Sequence, residues 1–396
     1  MTRDLRTART GAVLTFVLAG LLCGSMTVRI PALSDKLGLS EASIGVTLLV
    51  WGLGALVAMQ SMRGVMARLG SRSVLRVGAP LCAVTLALLA LAPTYPLLLV
   101  AAALFGMAFG AVDVAMNAQG STVERAYGRP LMNGMHAGWC VGAISAGLLG
   151  TAAIAAGLSF TAHLILVALV SLPVLVVISR SYLPDPVLSE KAAAAGRRRM
   201  PPVVYLLGVI AFCAFMVEGT IADWNGLYLR DTLGAAEAVA ALGYPVFEAG
   251  MLLGRLTGDR VRARFGARGM IVTAGLATAA TFGAVLSAPT APVAVGSMLL
   301  VGVAVATVSP MALSLAGGAT ANPGPAIAQT GAMGYAGLLL GPVIIGFVSH
   351  VTTLRTALFL AVVLGLLIAL AARFLPRPAV PAAVEETRER ELSMAA

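Results

Sequence analysis

Long apolar runs fill most of the 396-residue chain, and few ionisable side chains fall inside them. They are Asp113, His136, Glu218 and Glu248, with Arg29 and Asp223 nearer the ends of their runs. At bilayer depth such a group costs at least ~2.5–3.5 kcal/mol on insertion scales, so each asks for a function or a partner. Asp113 and Asn117 are four residues apart and share a helix face. Counting back from Gly120 puts Asp113 about 10 Å inside the end of its helix. His136 opens the next run at similar depth, and imidazole titrates near physiological pH. An Asp113–Asn117–His136 cluster could therefore take up and pass a proton; it would serve equally as a polar clasp between two helices. Glu218 falls roughly 20 Å into its helix, with Ala222 and Asn225 continuing its face. A carboxylic acid in apolar surroundings can exist protonated, which suits proton coupling and describes a merely tolerated buried acid as well. Asp223 and Trp224 read either as groups touching a solute or as a helix end at the water interface with its belt aromatic. Arg29, just before Pro31, can snorkel to the surface or hold an anionic group from outside.

The elements that must position these residues follow from composition. The chain is 59% hydrophobic and only 11% charged, with mean hydropathy +0.93. So little charge cannot cover a soluble domain of this size. Apolar runs of about 20 residues are long enough to span a bilayer. They fall at about 11–30, 42–62, 74–93, 97–119, 133–156 and 160–180, then at about 203–228, 237–258, 270–288, 293–315, 327–349 and 355–375. The first follows Arg3, Arg6 and Arg9 like a secretory signal, but its length and the lack of a small-residue cleavage site make it the first spanning helix. This gives an all-α membrane protein of twelve helices: a bundle at 1–180, a polar linker at 181–202, a second bundle at 203–376 and a tail at 377–396. The net charge of +10 lies mostly in short loops on one side. That orients a protein in the inner or plasma membrane with both termini and the linker cytoplasmic, and it argues against nucleic acid. Cys23, Cys82, Cys140 and Cys213 stand singly in separate runs, so no metal site or disulfide framework is expected. No cofactor motif or nucleotide-binding loop is present, and the three histidines lie far apart in the chain, which argues against an enzyme.

Between the eighth and ninth runs stands Gly254-Arg255-Leu256-Thr257-Gly258-Asp259-Arg260, followed by Arg262, Arg264, Phe265 and Gly266. Glycines four apart let helices approach closely, and Asp259 sits among arginines. Shifting the chain by 196 residues lays its first half on its second: Asp35 and Gly38 on Asp231 and Gly234, Arg68 and Gly70 on Arg264 and Gly266, Ala92-Pro93-Thr94 on Ala288-Pro289-Thr290, Gly138 on Gly334. Two six-helix halves related by an axis along the membrane normal would leave such a repeat. The counterpart of Asp259 is Arg63, so the acid is one-sided.

The glycine–arginine–acid loop and the repeat together resemble the major facilitator superfamily, in which this loop's charges hold the two halves together on the cytoplasmic side. Within it, Arg29-Ile30-Pro31-Ala32-Leu33, Asn117 with Glu124, His136, and Glu218 with Asp223-Trp224 resemble the YbjJ-type branch, distantly similar to fucose permeases. The resemblance implies a cavity lined by helices 1, 4, 7 and 10 and flanked by 2, 5, 8 and 11. Arg29, Asp113, Asn117, Glu218 and Asn225 would then face the cavity, with Trp139 and Tyr335 near its walls. It implies a monomeric, proton-coupled transporter of a small organic solute working by alternating access. Import of a sugar-like or small polar solute is favoured over drug export, because the glycines of the fifth helix are followed by no proline. A sensor or scaffold would fit larger loops better.

Overall fold

The computed structural model describes residues 3–128, 131–184, 200–319 and 323–376. The expected linker and tail fall largely at 185–199 and 377–396, outside the described residues. Among the described residues, twelve helices are long and apolar enough to cross a membrane: α1 Asp4–Val28, α2 Glu41–Met62, α3 Arg68–Leu91, α4 Tyr95–Tyr127, α5 Gly134–Ala155, α6 Phe160–Ser181, α7 Pro202–Thr232, α8 Glu237–Gly258, α9 Arg264–Ser287, α10 Ala291–Gly318, α11 Gln329–Val351 and α12 Leu354–Ala372. At 1.5 Å per residue each reaches across a hydrocarbon core of about 30 Å, or nearly so. Rows of exposed large apolar side chains, such as Leu53, Val77, Leu166, Phe359 and Leu370, are left for lipid to cover.

The repeat is written in the backbone. Gly38 and Gly234 have φ of 62° and 66°, and Gly70 and Gly266 have 73° and 70°. Those conformations are open to glycine at no steric cost, and both pairs are 196 residues apart. Thr94 and Thr290 begin α4 and α10 with the same extended geometry, each followed by a proline in the first turn. Proline is tolerated there because its missing N–H has no helical partner anyway.

Helices extend past the bounds read from hydropathy where the chain leaves the apolar zone. The α2–α3 and α8–α9 connections, expected as basic loops, are helical apart from the single glycine turn at Gly70 or Gly266. Likewise α4 runs to Tyr127 rather than ending near Gly120, and Gly128 caps it in the left-handed conformation. Asp113 is thus fourteen residues, about 21 Å, from the end of α4 and near its middle, not about 10 Å inside it. The N-terminus of α5 is held by Glu124, whose Oε2 accepts from the Leu131 and Met132 amides at 2.6 and 2.9 Å. A carboxylate complements a helix start in this way.

The two halves meet closely at one end, the end away from the chain's start and the linker. There Gly45 backs onto the Pro342 carbonyl, Gly346 onto that of Glu41, and Gly147 onto the Pro245 ring; a Cβ at any of the three would come within 2.7 Å of those atoms. Across this far end Arg230 Nη1 donates to Asp35 at 2.7 Å and Arg230 Nε to Asp231 at 2.6 Å. One arginine therefore holds both aspartates that the repeat pairs.

Candidate functional site

A cavity of about 270 Å³ lies between the halves, lined by α1, α2, α4, α5, α7, α8 and α11. The expected contribution from α10 is indirect. Its Ser309, the repeat counterpart of Asp113, sits behind the wall and donates to Glu218 Oε1 at 2.8 Å. The helix is interrupted next to this point, between Val305 and Val308. On the opposite half Asp113 Oδ2 accepts from the Tyr335 hydroxyl of α11 at 2.9 Å. Glu218 and Asp113 thus each hold one hydroxyl donor; for Asp113 that donor crosses from the other half.

Of the residues singled out in the sequence, Asp113, His136, Trp139, Glu218, Asp223, Glu248 and Tyr335 line the cavity, and Arg255 joins them. Arg255 was expected in a locking loop. Gly254 and Gly258 press α8 closely onto Val303, Ala306 and Thr307 of α10, and the residue one step beyond Gly254 is turned away from that contact into the cavity. Its Nη1 donates to Cys140 Sγ of α5 at 3.0 Å, another bond across the halves. Glu218, Glu248 and His136 all lie within its electrostatic reach. Of the rest of the loop motif, Arg264 is exposed and stacks over Phe265 at 5.7 Å. The expectations for Asp259 and Arg260 concern side chains outside the described residues.

Four expected cavity residues are not on its wall. Asn117 turns back to its own helix, donating to the Asp113 carbonyl at 2.8 Å and to Asp113 Oδ1 at 3.4 Å. Asn225 donates to the Ile221 and Ala222 carbonyls of α7. Trp224 is fully buried against Gly346, as a packing side chain rather than an interfacial one. Arg29 is 3% exposed at the far end, where Nη2 donates to the Leu158 carbonyl at 3.0 Å and lies 3.9 Å from Glu237. Burial pushes its guanidinium below the usual arginine range, with Glu237 pulling it back up. Arg29 neither snorkels nor reaches the cavity. The Asp113–Asn117–His136 cluster is not formed among the described residues: the His136 ring meets Phe16 edge-on at 5.1 Å instead.

Aromatic rings supply the rest of the wall. Trp51 lies against Phe109 at 5.5 Å, Phe109 against Trp139 at 5.7 Å, and Phe215 is stacked on Tyr335 at 5.8 Å. Trp51 and Tyr244 carried no charge or motif to mark them in the sequence. Ser309 had a usable signal, its alignment with Asp113. Such a cavity, largely apolar with few polar groups on rigid helices, is built to hold a small molecule. The described residues contain no metal-binding cluster of His, Cys, Asp or Glu.

The Major Facilitator Superfamily profile matches residues 12–324 and 207–395. The chain belongs to the major facilitator superfamily. It is 35% identical over 377 residues to the uncharacterized transporter y4wD of Sinorhizobium fredii, covering 94% of this chain and 99% of that one. It is 32% identical to an uncharacterized MFS-type transporter of Yersinia pestis, over 92% and 94% of the two chains. The crystal structure of a D-xylose–proton symporter superposes with a TM-score of 0.77 at 16% identity, over 93% of this chain and 98% of that one. The protein is accordingly a multi-pass membrane transporter rather than an enzyme, with the twelve-helix, two-bundle fold of its family.

Proposed function

We propose that this transporter imports a small, polar, sugar-like solute by alternating access, driven by protons, with Glu218 and Asp113 as the proton carriers. One observation carries the reading: both acids lie mid-membrane on the wall of the inter-half cavity, and both are hydrogen-bonded by hydroxyls, Ser309 and Tyr335. Ionised Asp113 is a strong acceptor for Tyr335, and a proton on it weakens that bond. A proton therefore alters a contact that ties α4 of one half to α11 of the other. Arg255 answers in the same way to the charge on Glu218 and Glu248, and through Cys140 it ties α8 to α5.

The reading places the protein as a monomer in the inner or plasma membrane with its basic connections cytoplasmic. The cavity would then face the cytoplasm in this state: the halves are packed at the far end, while His136, on the cavity wall at the start of α5, is exposed. The domain division at 181–202 suits two bundles rocking about the midplane. The likeness to a D-xylose–proton symporter agrees with it in fold.

The test is purified protein in liposomes with a pH-sensitive dye inside, screened against sugars, organic acids and cationic drugs. Solute-dependent acidification under an inward gradient, lost in Glu218→Gln or Asp113→Asn, is the expected result. Proton movement opposite to the solute would replace import by antiport. Equal solute-driven flux in both variants would make the two acids structural.

A further inference from the structure

The charges on the cavity wall do not balance. Four carboxylates line it, those of Asp113, Glu218, Asp223 and Glu248, and Arg255 is the one arginine or lysine among the described lining residues. Arg255 lies in reach of Glu218 and Glu248, and Asp113 has its Tyr335 donor. Asp223 accepts no hydrogen bond and forms no ion pair with a described residue. Glu248 is 7% exposed; the Cys140 thiol and the Tyr244 hydroxyl approach its carboxyl group, yet its Oε2 has no hydrogen-bond partner. A buried, unpaired carboxylate oxygen is costly unless something supplies a donor.

Asp223 of α7 and Glu248 of α8 line the same cavity. Cys23 of α1 and Tyr244 of α8, both on the wall, each lie within electrostatic reach of both Asp223 and Glu248. The acids also sit where the repeat is broken: Asp223 corresponds to Thr27 and Glu248 to Gly52, small uncharged residues that line the same cavity from the first half. The second half thus offers two acids towards neutral, small side chains. The Tyr244 and Phe247 rings beside them have faces that attract cations.

From this juxtaposition we infer that Asp223 and Glu248, beside Tyr244, form a subsite for a protonated amino group of the transported solute. It rests on the transporter reading above and narrows the solute to an amine-bearing small polar molecule. The ammonium donates to Asp223 and to Glu248 Oε2, and the remainder of the solute lies along the aromatic wall towards Trp51 and Trp139. Glu218 and Asp113 keep their own hydroxyl donors and stay free for the proton.

Matched sets test this on the full-length protein in detergent by thermal stabilisation: glucosamine, glucose and N-acetylglucosamine, with phenethylamine, phenethyl alcohol and N-acetylphenethylamine as a second set. In at least one set the free amine should stabilise the wild type at concentrations about tenfold lower than its hydroxyl or acetylated counterpart, about 1.4 kcal/mol. Asp223→Asn and Glu248→Gln should each abolish that preference without lowering the unliganded melting temperature. No amine preference in either set, or one unchanged in both variants, overturns the subsite. Transport of a neutral solute without amine preference would sink the subsite and leave the transporter reading standing. Amine-selective stabilisation without any solute-driven proton flux would do the reverse.

Discussion

The two mid-membrane acids are held differently, and single substitutions should separate them. Tyr335→Phe removes a donor to an acid of the opposite half. A hydrogen bond to a charged group is worth about 1.5–3 kcal/mol, so solute-driven flux should fall roughly tenfold or more while yield and melting temperature stay near wild type. Ser309→Ala acts within one half; it should lower flux less, because no contact across the cavity is lost. Flux measured side by side in liposomes checks the ordering, and equal losses would contradict it. At this scale the sequence was partly legible. Cost at bilayer depth picked out Asp113, Glu218, Asp223 and Glu248, all of which line the cavity. It could not tell which way a side chain turns. Asn117 and Asn225 satisfy themselves on their own helices, and Arg255 swings into the cavity because its neighbour Gly254 is spent on α10.

Between elements, the far end depends on backbone-to-backbone approach and on one charge clasp. Gly147 faces the Pro245 ring with no room for a Cβ. Gly147→Leu should wedge α5 from α8 and hold the far end open. With Thr27→Cys as reporter in a Cys23→Ser background, labelling by an impermeant thiol reagent added from the far side should rise about tenfold, ~1.4 kcal/mol of population shift. Unchanged labelling would mean that the glycine is only a packing choice. The Arg230–Asp35 pair bridges the halves at 2.7 Å, but its aspartate is 66% exposed. A double-mutant cycle with Arg230→Gln and Asp35→Asn should give a coupling of only about 0.2–1 kcal/mol for far-end closure, as exposed pairs do. Periodicity and the repeat made the number and order of helices readable. The ends were not, since hydropathy stops where apolar residues stop, whereas hydrogen bonding carries α4 on to Tyr127 and fuses α2 with α3 up to a single glycine.

For the whole molecule, the repeat that made the fold legible also shows where function departs from symmetry. Gly70 matches Gly266 and Thr94 matches Thr290 in geometry, because both halves need the same turns. The acids Glu218, Asp223 and Glu248 replace Leu22, Thr27 and Gly52, so chemistry is concentrated on one half of a pseudo-symmetric frame. Coupling then requires that protonation of a few groups bias a rocking equilibrium through bonds that cross the halves, Tyr335–Asp113 and Arg255–Cys140. The most direct measurement compares two activities of Glu218→Gln in liposomes for a solute carried by the wild type. One is proton-gradient-driven accumulation; the other is counterflow exchange with solute on both sides and no gradient. An amide mimics the protonated acid, so exchange should persist near the wild-type rate while accumulation disappears. Accumulation that survives in Glu218→Gln would contradict the account, because the proton would then be carried elsewhere.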